Sequence, residues 1–117
     1  MSLRELILTA EDLPREPVEV PEWGATVYVR EMTGKERDEY ESNLIDKKDM
    51  PIKERLRNMR AQLVVLCTVD EDGQRIFSDD DVEAVGNKSA KALNRIVDAA
   101  QNMNQLSDRD IEETAGN

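Results

Sequence analysis

Between Pro51 and Phe77 the sequence leaves the backbone few options. Ile52, Leu56, Met59, Leu63 and Leu66 follow one another at spacings of four, three, four and three, which puts all five on one side of a helix. Lys53, Glu54, Arg57 and Arg60 fall opposite them. The pattern then closes, because Leu63-Val64-Val65-Leu66-Cys67 is apolar on every side and belongs in an interior. This predicts a central core helix that starts near Pro51, whose missing N–H suits a first turn, with Asp49 as its cap. Beyond Cys67, Asp72-Gly73 lies between Thr68-Val69 and Ile76-Phe77, the signal of a hairpin with an acidic turn.

A chain of 117 residues is expected to form one domain over 1–117, with 1–17 and 108–117 flexible. Only 3% of it is aromatic, so the core must be built from Leu, Val, Ile, Met and Ala, which suits helices. The net charge of −10 argues against nucleic acid as a partner, since phosphate binding needs a basic surface. There is no histidine, which removes the commonest general base and zinc ligand together, and the single cysteine, Cys67, sits in the apolar run as a small buried hydrophobe. No stretch approaches the roughly 18 apolar residues of a membrane span, and the expected location is the cytoplasm.

Along the chain, residues 1–17 carry Leu3, Leu6, Ile7 and Leu8 before a turn at Asp12-Leu13-Pro14, and their class stays open. Val18 and Val20, then Val27 and Val29, alternate around Pro21-Glu22-Trp23-Gly24 and read as a β-hairpin with one apolar face. Trp23, at the turn, is either a partner-binding anchor or a lid on the small sheet. Thr33 and Glu36 form a capping box, predicting a helix from Gly34 to about Ile45 with Arg37, Tyr40 and Leu44 on one side. Ser78 and Asp81 cap a short helix in which Val82 and Val85 face inward and which Gly86 stops. Ser89 caps another, striped by Leu93, Ile96, Val97 and Ala100 to about Met103, and Ser107 caps a last acidic piece.

Catalytic and metal readings fail on spacing. With Gly73 at the glycine position of a calcium loop, the first ligand falls on Thr68 and the bidentate glutamate position on Asp79. A turn and a helix cap account for the same carboxylates without an ion. No phosphate loop, activated nucleophile or zinc spacing is present, so no catalytic, cofactor or metal residues are assigned. Charge polarity is the stronger feature. Residues 47–60 hold six basic and two acidic side chains, a local +4, whereas residues 70–83 hold seven acids and one base, a local −6. If the two patches lie on different faces, copies would dock head to tail into a ring or spiral, with Lys53, Arg57 and Arg60 meeting Asp79 and Asp80. If they neutralise one another within a monomer, no assembly follows.

Three blocks resemble one known family. They are Val18-Glu19-Val20-Pro21-Glu22-Trp23-Gly24 with Val27-Tyr28-Val29-Arg30 and Met32-Thr33-Gly34-Lys35-Glu36-Arg37-Asp38; Leu63-Val64-Val65-Leu66-Cys67 and Val69-Asp70-Glu71-Asp72-Gly73 with Arg75-Ile76-Phe77-Ser78 and Asp81-Val82; and Gly86 with Lys88-Ser89, Ala92-Leu93 and Leu106-Ser107. In that order and at those spacings the chain resembles the tail assembly chaperones of long-tailed bacteriophages and related prophages. The resemblance implies a small acidic protein of the host cytoplasm, without catalytic residues or cofactor. Such a protein binds the tape measure protein and keeps it soluble before the tail tube polymerises, and many copies coat that chain. It further implies a longer, frameshifted product that recruits the tail tube protein, with the sequence to Asn117 as the shorter form.

The combined expectation is an α+β domain, with small N-terminal β-hairpins packed against a body of about four or five helices, acting by binding and release. Trp23 is the first candidate anchor, and Met32, Met50 and Met103 are candidates for adapting to varied partner side chains, while Met59 fills the core. A reading of another class is an acidic inhibitor or DNA mimic that blocks a nucleic-acid-binding enzyme. A mimic spaces carboxylates over a whole face, which the +4 stretch interrupts.

Overall fold

The computed structural model of the chain describes residues 2–45, 51, 53 and 58–106. The expectations placed on Asp49, Met50, Ile52, Leu56, Arg57 and Ser107 therefore lie outside the described residues. Among the described residues there are five α-helices, α1 (Leu3–Thr9), α2 (Gly34–Ile45), α3 (Met59–Cys67), α4 (Val82–Gly86) and α5 (Ala90–Met103). Three strands, β1 (Arg15–Val20), β2 (Ala25–Arg30) and β3 (Thr68–Val69), join them, so the α+β expectation holds.

The sheet is antiparallel in the order β1-β2-β3. Val18 pairs with Val27 and Val20 with Ala25, so the alternating valines share one face, as their period of two requires. On its other side β2 pairs Tyr28 with Val69, which joins the N-terminal hairpin and the acidic turn in one sheet. β1 starts three residues earlier than Val18, where the alternation was first legible, because Pro17 is tolerated on an edge strand that needs no second row of ladder bonds. Residues 1–17, whose class the sequence left open, thus contain α1 and the start of β1. Ser2 caps α1 by accepting the Glu5 N–H at 3.2 Å, yet α1 buries none of its residues.

α3 is the centre of the core. Leu63, Val64, Val65, Leu66 and Cys67 are all buried, as an all-round apolar run demands, and Met59 is buried with them. α3 packs on α2, α4 and α5, and α5 also packs on β1 and β2. The expected stripe of α5, Leu93, Ile96, Val97 and Ala100, is buried in full. Local signals act as expected at the helix starts. Thr33 Oγ1 accepts the Glu36 N–H at 3.1 Å while Glu36 Oε1 accepts the Thr33 N–H at 2.9 Å, and Ser89 Oγ accepts the Ala92 N–H at 3.3 Å. No helix among the described residues is long and apolar enough to cross a membrane.

Candidate partner-binding groove

Trp23 owes its position to local backbone geometry. Pro21–Trp23 form a single 3₁₀ turn, and Gly24 closes it at φ 63°, the left-handed region that a residue without Cβ enters at no steric cost. Glu22 pins this turn to α5, accepting from Arg95 Nε at 2.8 Å and Nη2 at 3.1 Å. The hydrogen bonds from Arg95 hold the Glu22 carboxyl below its ordinary range, and the same pairing raises the Arg95 guanidinium. Trp23 is half-buried against the core.

Across from it, Phe77 is delivered by the acidic turn. Asp70 Oδ1 accepts the N–H groups of Asp72 and Gln74 at 2.9 and 3.0 Å, and the Gly73 N–H bonds the Asp70 carbonyl at 3.0 Å with Gly73 at φ 86°. The chain then passes Ile76 to Phe77, and Ser78 begins the α4 region by donating its N–H to Asp81 Oδ2 at 2.8 Å. Of the carboxylates that invited a calcium reading, Asp70 is engaged in the turn, Asp81 in the cap and Asp79 in an ion pair with Arg75. Among the described residues no group of His, Cys, Asp or Glu side chains is arranged to hold a metal ion.

Trp23 and Phe77 line an open groove of about 250 Å³ together with Ala84, Val85, Asp81 and Lys88. The volume is below that of pockets built for metabolites and suits protruding apolar side chains of another chain. Two of the four aromatic residues meet here. The sequence singled out Trp23 and missed Phe77, Ala84 and Val85. The available signal was that both large aromatics stand directly before a turn or cap, where a side chain is presented at a surface.

The other candidates have different surroundings. Met32 is 6% exposed and belongs to the core, where its N–H donates to Asn104 Oδ1 at 2.7 Å. Met103 is half-buried and lines a second depression beside Met32. Lys53 and Arg60 are exposed. Arg60 lines a depression that also holds Glu83 and Lys88, so the described part of the basic stretch adjoins part of the acidic one. Asp80 is exposed, and Asp79 accepts from Arg75 Nη2 at 3.1 Å, an ion pair within the molecule.

Arg75 links this surface to a buried pair. Arg30 Nη1 and Nη2 reach Glu36 Oε1 and Oε2 at 2.8 and 3.2 Å, with side chains only 10% and 14% exposed. Arg75 Nη1 lies 3.9 Å from Glu36 Oε2 and its other nitrogens donate to the Val65 carbonyl at 3.3 and 3.2 Å. Burial pushes the Glu36 carboxyl up, but the bonds from Arg30 and the Thr33 N–H outweigh it and hold the group below its ordinary value. This network fixes the ends of β2, α2 and α3 against the segment that leads into the groove.

No curated protein matches the chain. Among solved structures, the tail assembly chaperone of bacteriophage HK97 has a similar fold, with a TM-score of 0.63 at 23% identity over 90% of this chain and 96% of that one. The family model described as phage tail assembly chaperone matches residues 2–117. With so much of its length matched, the chain belongs to the phage tail assembly chaperone family.

Proposed function

We propose that the protein binds the tape measure protein of a long-tailed phage in the host cytoplasm and keeps it soluble until the tail tube assembles around it. Tail assembly chaperones are not enzymes, and binding is the work left to this surface. The observation that carries the reading is the groove of Trp23, Phe77, Ala84 and Val85, an apolar slot on a chain of net charge −10. A long helix with an exposed apolar stripe offers side chains at every turn, and a shallow slot accepts one or two of them per copy, as in helix-in-groove recognition. The charged body around the slot keeps the resulting complex soluble. The tail tube protein, through a longer form of the chain, is the second partner in this proposal.

Two features disfavour a DNA mimic. Asp70, Asp79, Asp81, Glu22 and Glu36 each bond a group within the molecule, and Arg60 interrupts the acidic surface near Glu83. Co-expression with the tape measure protein tests the proposal. Recovery of that long chain in the soluble fraction, co-purifying with this one, is expected; equal precipitation with and without this protein overturns it.

A further inference from the structure

The floor of the groove is charged at both ends and apolar between them. Phe77, Asp81, Ala84, Val85 and Lys88 follow one another at spacings of four, three, one and three, one side of a helical coil, and Trp23 completes the slot. The coil begins with the 3₁₀ turn Asp79–Asp81, continues as α4 and gains a last turn where the Lys88 N–H bonds the Val85 carbonyl at 3.0 Å. At a rise of 1.5 Å per residue, Asp81 and Lys88 stand about 10 Å apart along it, roughly two turns of a helix.

Neither charge is neutralised by an ion pair among the described residues. Asp81 accepts the Ser78 N–H through Oδ2 at 2.8 Å, and its Oδ1 accepts no hydrogen bond from the described residues. Lys88 is exposed and makes no ion pair among them. The neighbours extend each sign. Asp80 is exposed beside Asp81. Lys91, exposed one turn beyond Lys88, adds its charge to the Arg95 hydrogen bond that lowers the Glu22 carboxyl, so it stands near the Trp23 turn. Arg60 and Glu83 both line the depression next to Lys88 and offset one another in sign. The slot therefore runs from an acidic end to a basic one.

We propose that the groove takes a helical segment whose apolar residues are flanked by a base about one turn to one side and an acid about one turn to the other, the base meeting Asp81 and the acid meeting Lys88. This rests on reading the groove as the tape measure site, and it deepens that reading by naming the charge pattern of the segment bound. Apolar contact with Ala84, Val85 and the two aromatics supplies attraction but does not distinguish one end of a helix from the other. Opposite charges at the two ends do, because a helix laid in the wrong direction sets like charges together. Asp81 and Lys88 thus fix the direction in which a bound helix lies.

Titration of the full chain with synthetic helical peptides lacking tryptophan tests this, because Trp23 is the only tryptophan and its emission reports filling of the slot. Each peptide is Ala-rich, about 20 residues long to hold a helix, and carries two adjacent leucines. The flanking pair one turn away on either side is Lys and Glu, Lys and Lys, Glu and Glu, or Gln and Gln, with compensating charges on the far side so that all four have the same net charge. The Lys/Glu peptide is expected to bind about fivefold more tightly than the other three, the size of a favourable surface ion pair. Lys88→Glu, which breaks no ion pair among the described residues, is expected to move the preference to the Lys/Lys peptide, and Lys88→Gln to make the Lys/Glu and Lys/Lys peptides equal. Equal binding of all four peptides, or a Lys/Glu preference that survives Lys88→Glu, overturns this inference and leaves the groove as an apolar helix site. No Trp23 shift with any peptide overturns the groove as a helix site and this inference with it, whereas the tape measure reading is decided separately by the co-expression experiment.

Discussion

Asn104 Oδ1 accepts the backbone N–H of Met32 at 2.7 Å, and both residues are buried. The same side chain donates from Nδ2 to the Ala100 carbonyl at 2.8 Å and stands 3.6 Å from Cys67 Sγ, while the Asn104 carbonyl accepts from Arg37 Nη1 at 3.0 Å. One polar residue at the end of α5 therefore ties together the link after β2, the last residue of α3 and the first half of α2. A buried polar group with every bond made fixes geometry that apolar packing leaves loose.

Replacing Asn104 by Ala leaves the Met32 N–H without an acceptor in the core. The cost of an orphaned buried donor is about 1–3 kcal/mol. Urea unfolding is expected to show a fall in unfolding free energy of that size; a variant within about 0.5 kcal/mol of wild type, the scatter of ordinary surface substitutions, contradicts this role.

Glu36 makes stability depend on pH in a definite direction. Its folded-state carboxyl lies below the ordinary 4.5, so its contribution is fully present above pH 4.5 and is lost as pH falls through the lower folded value. Glu36→Gln leaves Arg30 as an unpaired buried cation, costing about 3 kcal/mol at neutral pH. Denaturant midpoints measured from neutral to acid pH are expected to fall less steeply in the variant, and parallel curves count against the assignment.

Gln105 closes α5 at φ 55°, with the Leu106 N–H bonded to the Gln101 carbonyl at 2.7 Å and the Gln105 N–H to the Asn102 carbonyl at 3.3 Å. This is the two-bond helix stop that glycine fills without strain. Gln105→Gly is expected to stabilise the protein by about 1 kcal/mol, read as a rise in melting temperature, and a fall shows that the glutamine side chain makes a compensating contact.

Cys67 is the natural reporter of global opening. Burial pushes its thiol up to about 12 despite the Asn104 amide beside it, so almost no thiolate exists in the folded state at pH 8. A thiol reagent is expected to label Cys67 at the rate of unfolding and quickly in denaturant. Rapid labelling of the native protein shows that α3 opens locally.

Much of this architecture was legible because it is locally encoded. The run from Leu63 to Cys67, the capping pairs at Thr33 and Ser89, and the valine alternation each specify an element from a few neighbouring residues. What escaped is tertiary. α1 has a helical spacing too short to distinguish from a strand, and Pro17 argues against β structure until the strand is known to lie at an edge. Asn104 reads as an ordinary helix end, since its partners at Met32, Arg37 and Cys67 come from three distant segments. Trp23 was recognisable as a candidate, but the groove exists only because the 70–77 turn carries Phe77 to it and α4 supplies Ala84 and Val85.

The central claim is that this groove receives the tape measure protein, and Ala84→Arg tests it most directly. Ala84 is exposed on the groove wall, so a longer side chain blocks the slot without disturbing the core. Wild type and variant, each co-expressed with the tape measure protein and matched for melting temperature, are compared by the amount of tape measure recovered in the soluble complex. The account predicts stoichiometric recovery with wild type and at least about a tenfold loss with the variant, as for removal of a central anchor. Equal recovery with both contradicts it and moves the binding surface elsewhere on the molecule.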